Sequence, residues 1–132
     1  MKATTSVWLF MDFIFIFFER SVQNDRRSIQ NLVLHEMIHL YDRKIRGFDF
    51  RRPDDLACSE IRAYAMSSDC NGSKICIMQK TDASLSASHA TQFMEPLKRS
   101  EVIAGMLDRC LSDQNPFIRN DEVLKPRDSF QN

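Results

Sequence analysis

His35-Glu36-Met37-Ile38-His39 sets two imidazoles four residues apart with a carboxylate directly after the first. An α-helix turns about 100° per residue, so positions four apart return to nearly the same face and both rings can reach one metal ion. Two histidines at this spacing are half of a catalytic zinc site. Glu36 beside them can take a proton from water and pass it to a leaving amine. The chemistry suggested is zinc-dependent peptide hydrolysis. A pattern fixing three of five positions arises by chance in roughly one chain of this length in a few hundred, so the surroundings decide. Ile29, Leu32, Val33, Met37, Ile38, Leu40 and Tyr41 recur around the motif with helical spacing, and no Gly or Pro interrupts them. Ser28 can cap the start of this helix. Arg43, Lys44 and Arg46 complement the dipole at its end, and Gly47 supplies a stop.

A zinc protease needs a third protein ligand and one open position for water. The metzincin arrangement would continue with Gly and a third His, but Asp42 and Ile45 stand at those places, so that reading fails. The gluzincin arrangement takes a glutamate from a second helix. Glu60, twenty-one residues after His39, lies in the helical segment Leu56–Ala65 behind a loop containing Pro53, and it is the expected third ligand. Its bland alternative is a solvated glutamate paired with Arg62 or Arg51. Asp42, three positions after His39, is expected to support a ligating imidazole, with a salt bridge to Arg46 as the alternative. Asp69 is a second candidate for orienting a histidine. His89 stands alone in a polar stretch and reads as surface, although a histidine that stabilises an oxyanion would also come from downstream.

The elements that must position these groups are short. A chain of 132 residues fits one domain, read here as 1–118 with a disordered charged tail over 119–132. Eighteen basic and eighteen acidic residues cancel, so there is no electrostatic case for nucleic acid. The local clusters Arg43-Lys44 and Arg51-Arg52 read as solvated faces, or as a surface that touches anionic lipid. Val7–Phe18 is apolar but too short for a transmembrane helix, which needs about twenty residues. Its aromatic and β-branched content predicts a strand, with peripheral membrane attachment as the alternative. Asn71–Ser88 reads as a mobile connection, and the apolar residues from Phe93 to Leu97 and from Val102 to Leu111 as helical surface packing on the site. The fold class expected is α+β: a mainly helical, zincin-like domain of gluzincin type with a small N-terminal β element. The four cysteines lack structural-zinc spacings, and composition alone leaves them as reduced core residues, Cys58 among the buried ones.

Two blocks carry a resemblance. HEMIHLYD at 35–42 and DLACSEIRAYAMSSDC at 55–70 resemble the HELIHAYD and HLACSEIRAANLSGDC of the mitochondrial inner-membrane metalloproteases that mature an ATP synthase subunit and assist ATP synthase assembly. The second block is long and unusual, hence the more specific. Asp108–Phe117 echoes the short cysteine, aspartate and Pro-Phe signature of that family, and Val22-Gln23-Asn24 the segment before its active-site helix, so the resemblance covers most of 22–118. It implies Zn²⁺ held by His35, His39 and Glu60, with Glu36 catalytic. It further implies a precursor of an ATP synthase subunit as protein substrate, and a peripheral place on the intermembrane-space side of the inner membrane. Cys58, Cys70 and Cys110 match family cysteines of that oxidising compartment, where four cysteines allow three pairings.

The chain departs from the family between Asp42 and Asp55, where cysteines and a tryptophan are missing, at Asp55 itself, which replaces a histidine, and over 71–100. The alternatives are therefore an assembly chaperone that works without proteolysis, or a degenerate relative with a structural or idle zinc site. Only 34 residues precede His35, which raises the second of these.

Overall fold

The computed structural model describes residues 26–117, which form four helices: α1 Arg26–Lys44, α2 Pro53–Met66, α3 Lys74–Ala87 and α4 Pro96–Ser112. No strand occurs among the described residues. The expected β element at 7–18 and the tail at 119–132 lie outside them.

α2 is the axis of the fold. Pro53 opens it, with φ already suited to a helix and no N–H to leave unpaired, and Asp54 and Asp55 place negative charge in its first turn. It buries Leu56, Ala57, Cys58, Ser59, Ile61, Arg62 and Ala63, more than one face, because α1, α3 and α4 all pack against it. The core gathers Leu56, Ala57, Cys58 and Ile61 of α2 with Ile77 and Leu85 of α3 and Ile103, Met106 and Cys110 of α4. α1 packs only on α2 among the described helices. It ends at Lys44, three residues before the expected stop Gly47, whose φ of 73° a side chain would resist, and Phe48 N–H returns to the Asp42 carbonyl at 2.9 Å. Ser28 does not cap it, since the chain is already helical at Arg26.

Two expectations need correcting. Residues 71–88 are not a mobile connection: Asn71 and Gly72 turn the chain with positive φ, Ser73 caps α3 by accepting Cys76 N–H at 3.2 Å, and the helix continues to Ala87. Its inward face is Ile77, Thr81 and Leu85, spaced by four, and a threonine at the middle position hid the period. The packing surface expected from Phe93 to Leu97 also fails. Phe93 is 89% and Leu97 72% exposed, and α4 begins only at Pro96.

The four cysteines are paired rather than reduced. Cys58–Cys110 joins α2 to α4, and Cys70–Cys76 closes the α2–α3 connection. Cys58 is buried, as expected. No described helix is long and apolar enough to cross a membrane.

Candidate metal centre

His35 and His39 leave α1 one turn apart, on the side that meets α2, and Glu60 comes from the facing side of α2. The two Nε2 atoms lie 3.1 Å apart. Glu60 Oε1 is 3.2 Å from His39 Nε2 and Oε2 is 3.5 Å from His35 Nε2. Glu60 pairs with neither Arg62 nor Arg51, and its Oε2 is buried without a hydrogen-bond partner. Among the described residues, these three side chains are the group able to hold a metal ion.

The separations fit such an ion. Nitrogen and oxygen donors at about 2.0–2.1 Å from a tetrahedral centre stand about 3.3 Å from one another. The two imidazole nitrogens, 3.1 Å apart, both also approach Glu60, so the three groups converge on one point. An orphaned buried carboxylate oxygen beside them completes a donor set of the kind zinc takes. Three protein donors leave one position open.

Electrostatics couples the same groups. Burial pushes the Glu60 carboxyl up, but the imidazoles of His35 and His39 outweigh it and hold it at about 2. Burial pushes His39 down, and the carboxylates of Glu60, Glu36 and Asp42 more than reverse this, so its pKa is raised. Glu36 is raised by burial, partly offset by His39 and His35 and reinforced by Glu60. A carboxyl raised in this way holds its proton less reluctantly, as a group that must both take and return one requires.

The supporting contacts differ from those expected. Asp42 does not touch a ligand imidazole. It is fully buried, and both its oxygens accept from Arg62 Nε at 3.1 Å, with Arg46 Nη1 3.8 Å away. The partner of His39 is Ser59, whose Oγ lies 2.8 Å from Nδ1. With Nδ1–H donating to that hydroxyl, the Nε2 lone pair faces the cluster. Asp69 stands 4.0 Å from His35 Nδ1, too far for a hydrogen bond.

Two rings flank the pair: Tyr64 edge-on to His35 at 4.6 Å and Phe50 edge-on to His39 at 5.9 Å. The Tyr64 hydroxyl is 2.9 Å from Ser84 Oγ on α3. Tyr64 was open to discovery in the sequence, four residues after Glu60 on one helix face. Ser59 and Phe50 carried no such signal. His89 is exposed and near Gln92, away from the cluster's direct contacts.

Comparison with known proteins points the same way. The model of the peptidase M76 family matches residues 10–118. The mitochondrial inner membrane protease ATP23 of Meyerozyma guilliermondii is 27% identical over 110 residues, covering 72% of this chain and 45% of that protein. Its namesake in Pyricularia oryzae is 29% identical over 119 residues, covering 76% and 42%. That of Schizosaccharomyces pombe is 39% identical over 49 residues, covering 37% and 26%. The chain spans less than half the length of these relatives. No solved structure matches.

Proposed function

Because the chain belongs to the peptidase M76 family, we propose that it is a zinc-dependent endopeptidase whose ligands are His35, His39 and Glu60. The observation that carries this reading is the meeting of Glu60 with both imidazoles at 3.2–3.5 Å, with one carboxylate oxygen left without a hydrogen-bond partner. Zinc held there supplies a Lewis acid that polarises a carbonyl and makes water more acidic. Glu36 acts as general base toward water and then as general acid toward the leaving amine nitrogen. Ser59 holds His39 with Nε2 turned to the cluster, and Tyr64 and Phe50 brace the two rings.

The zincin-like, gluzincin-type architecture, with the apolar segment at 7–18 as its β element, is part of the same reading. So is the location. The names of the relatives and the resemblance of the two sequence blocks support a peripheral place at the mitochondrial inner membrane, on the intermembrane-space side. The resemblance likewise supports a protein substrate that is a precursor of an ATP synthase subunit, together with help in ATP synthase assembly.

Elemental analysis of the purified chain tests the site. About one zinc per wild-type chain is expected, lost in His39→Ala and in Glu60→Ala, while Glu36→Gln keeps the metal and hydrolyses peptide about 10²–10⁴-fold more slowly. A folded wild type that takes up no zinc, or Glu36→Gln cleaving as fast as wild type, overturns the mechanism.

A further inference from the structure

Arg43-Lys44 and Arg51-Arg52 are two basic clusters that the proposed reaction does not use. The chain turns at Gly47 so that Arg43, Lys44 and Arg51 come to line one groove of about 710 Å³, together with Phe48, Phe50 and, from the connection after α3, His89. Its size lies within the range of ligand-binding clefts.

Two observations tie this groove to the metal centre. Phe50 belongs to both, since its ring meets the His39 ring edge-on at 5.9 Å. Arg43 also continues the stripe His35, His39, Arg43 at four-residue spacing along α1. One turn separates Arg43 from His39, about 6 Å along the axis, which an extended peptide covers in about two residues.

The charge in the groove is one-sided. Asp49 also lines it, but its carboxylate is taken by Arg51, whose Nε lies 3.0 Å from Oδ1 and whose backbone N–H donates to the same oxygen. Arg43 and Lys44 make no ion pair among the described residues, so two positive charges face the groove uncompensated over an aromatic lining. A carboxylate satisfies the cations, and its carbon stem lies against the phenyl rings.

We propose that this groove is a substrate subsite that takes an acidic side chain, Asp or Glu, within a few residues of the bond cleaved. The proposal rests on the protease reading and adds the substrate class to it. An anionic lipid headgroup has the same charge but no reason to need a groove that shares Phe50 with the catalytic site.

The test uses the full zinc-loaded chain and matched peptides that differ only in Glu, Gln or Lys at each position around the cleaved bond. Binding of the same peptides, fluorescently labelled, to the Glu36→Gln chain is measured in parallel. At one position Glu is expected to beat Lys about tenfold in kcat/KM and in affinity, with the preference shrinking as salt is added. Arg43→Gln/Lys44→Gln should abolish the preference and Arg43→Glu/Lys44→Glu should invert it, zinc content and circular dichroism staying as in wild type. Cleavage indifferent to peptide charge, or a preference unchanged in both variants, overturns the subsite and leaves the protease reading intact. Charge-selective binding without cleavage by wild type sinks the protease reading and retains the groove. Binding of anionic vesicles through Arg43 and Lys44, with peptides indifferent to charge, overturns the proposal in favour of a lipid surface.

Discussion

Glu60 and His39 each hold the other's charge. Burial works against both charged forms, yet Glu60 is drawn down to about 2 by the imidazoles and His39 is raised by the carboxylates around it. A depressed carboxyl contributes stability above its ordinary value of 4.5 and loses it as pH falls toward 2. A raised imidazole contributes fully below its ordinary 6.5 and loses that contribution as pH climbs through the folded value. For the metal-free chain, the pair therefore stabilises most between pH 4.5 and 6.5. Thermal melts in chelator, comparing wild type with Glu60→Gln from pH 2 to 9, should show the largest difference in Tm inside that window and a shrinking one on either side. A difference that keeps growing above pH 7 contradicts the assignment. Zinc reverses the upper limb, because a ligating histidine must give up its proton. The pairing of His35 with His39 was legible in the sequence because helical periodicity alone puts them on one face, with Glu36 one position round from the first. Ser59 was not: its hydroxyl matters only because α1 and α2 cross where His39 Nδ1 comes within 2.8 Å of it.

What fixes that crossing is a buried ion cluster between the elements. Arg62 of α2 and Asp42 of α1 are both fully buried, with Nη2 3.0 Å from Oδ1 in addition to the Nε contacts. Arg62 also reaches Asp113 Oδ1 at 2.9 Å and the carbonyls of Asp113 and Asn115, and Arg46 holds Asp113 Oδ2 at 2.6 Å. One guanidinium thus ties the end of α1, the middle of α2 and the segment after α4. Removing one partner strands a buried charge, so Arg62→Met should cost about 3–5 kcal/mol in urea denaturation. The double variant Arg62→Met/Asp42→Leu, which removes both charges, should cost less than the single one. A double variant worse than Arg62→Met would mean that the pair acts by packing rather than by charge. The sequence offered Asp42 two nearby partners, a histidine three residues back and an arginine four residues on, and the one that dominates is twenty residues away. The helical periods of α1, α2 and α4 were readable because Ile38 of α1, Leu56 and Ile61 of α2, and Ile103 and Met106 of α4 occupy inward positions. α3 was not, since Thr81 sits fully buried at the centre of its inward face and polar residues surround it.

On the scale of the whole molecule, α2, α3 and α4 share one small core with α1 packed on α2, and domains of this size bury too little surface to be stable by wide margins. The disulfides make up part of that deficit, and unequally. In the chain-entropy account, a crosslink at the 52-residue separation of Cys58 and Cys110 stabilises by about 4 kcal/mol, and one at the 6-residue separation of Cys70 and Cys76 by about 2. Position sharpens the contrast. Cys58 directly precedes Ser59 and Glu60, so its bond to α4 clamps the stretch of α2 that faces the histidines. Cys70–Cys76 only closes the turn between α2 and α3. The variant Cys58→Ala/Cys110→Ala should therefore lose about twice the stability that Cys70→Ala/Cys76→Ala loses, measured by urea denaturation. It should also hold zinc less tightly in competition with a chelator, whereas the second variant should hold it as wild type does. Zinc held as tightly as in wild type by Cys58→Ala/Cys110→Ala would mean that α2 is positioned by its packing and by Arg62 alone, with the long-range bond adding nothing to the geometry of the site.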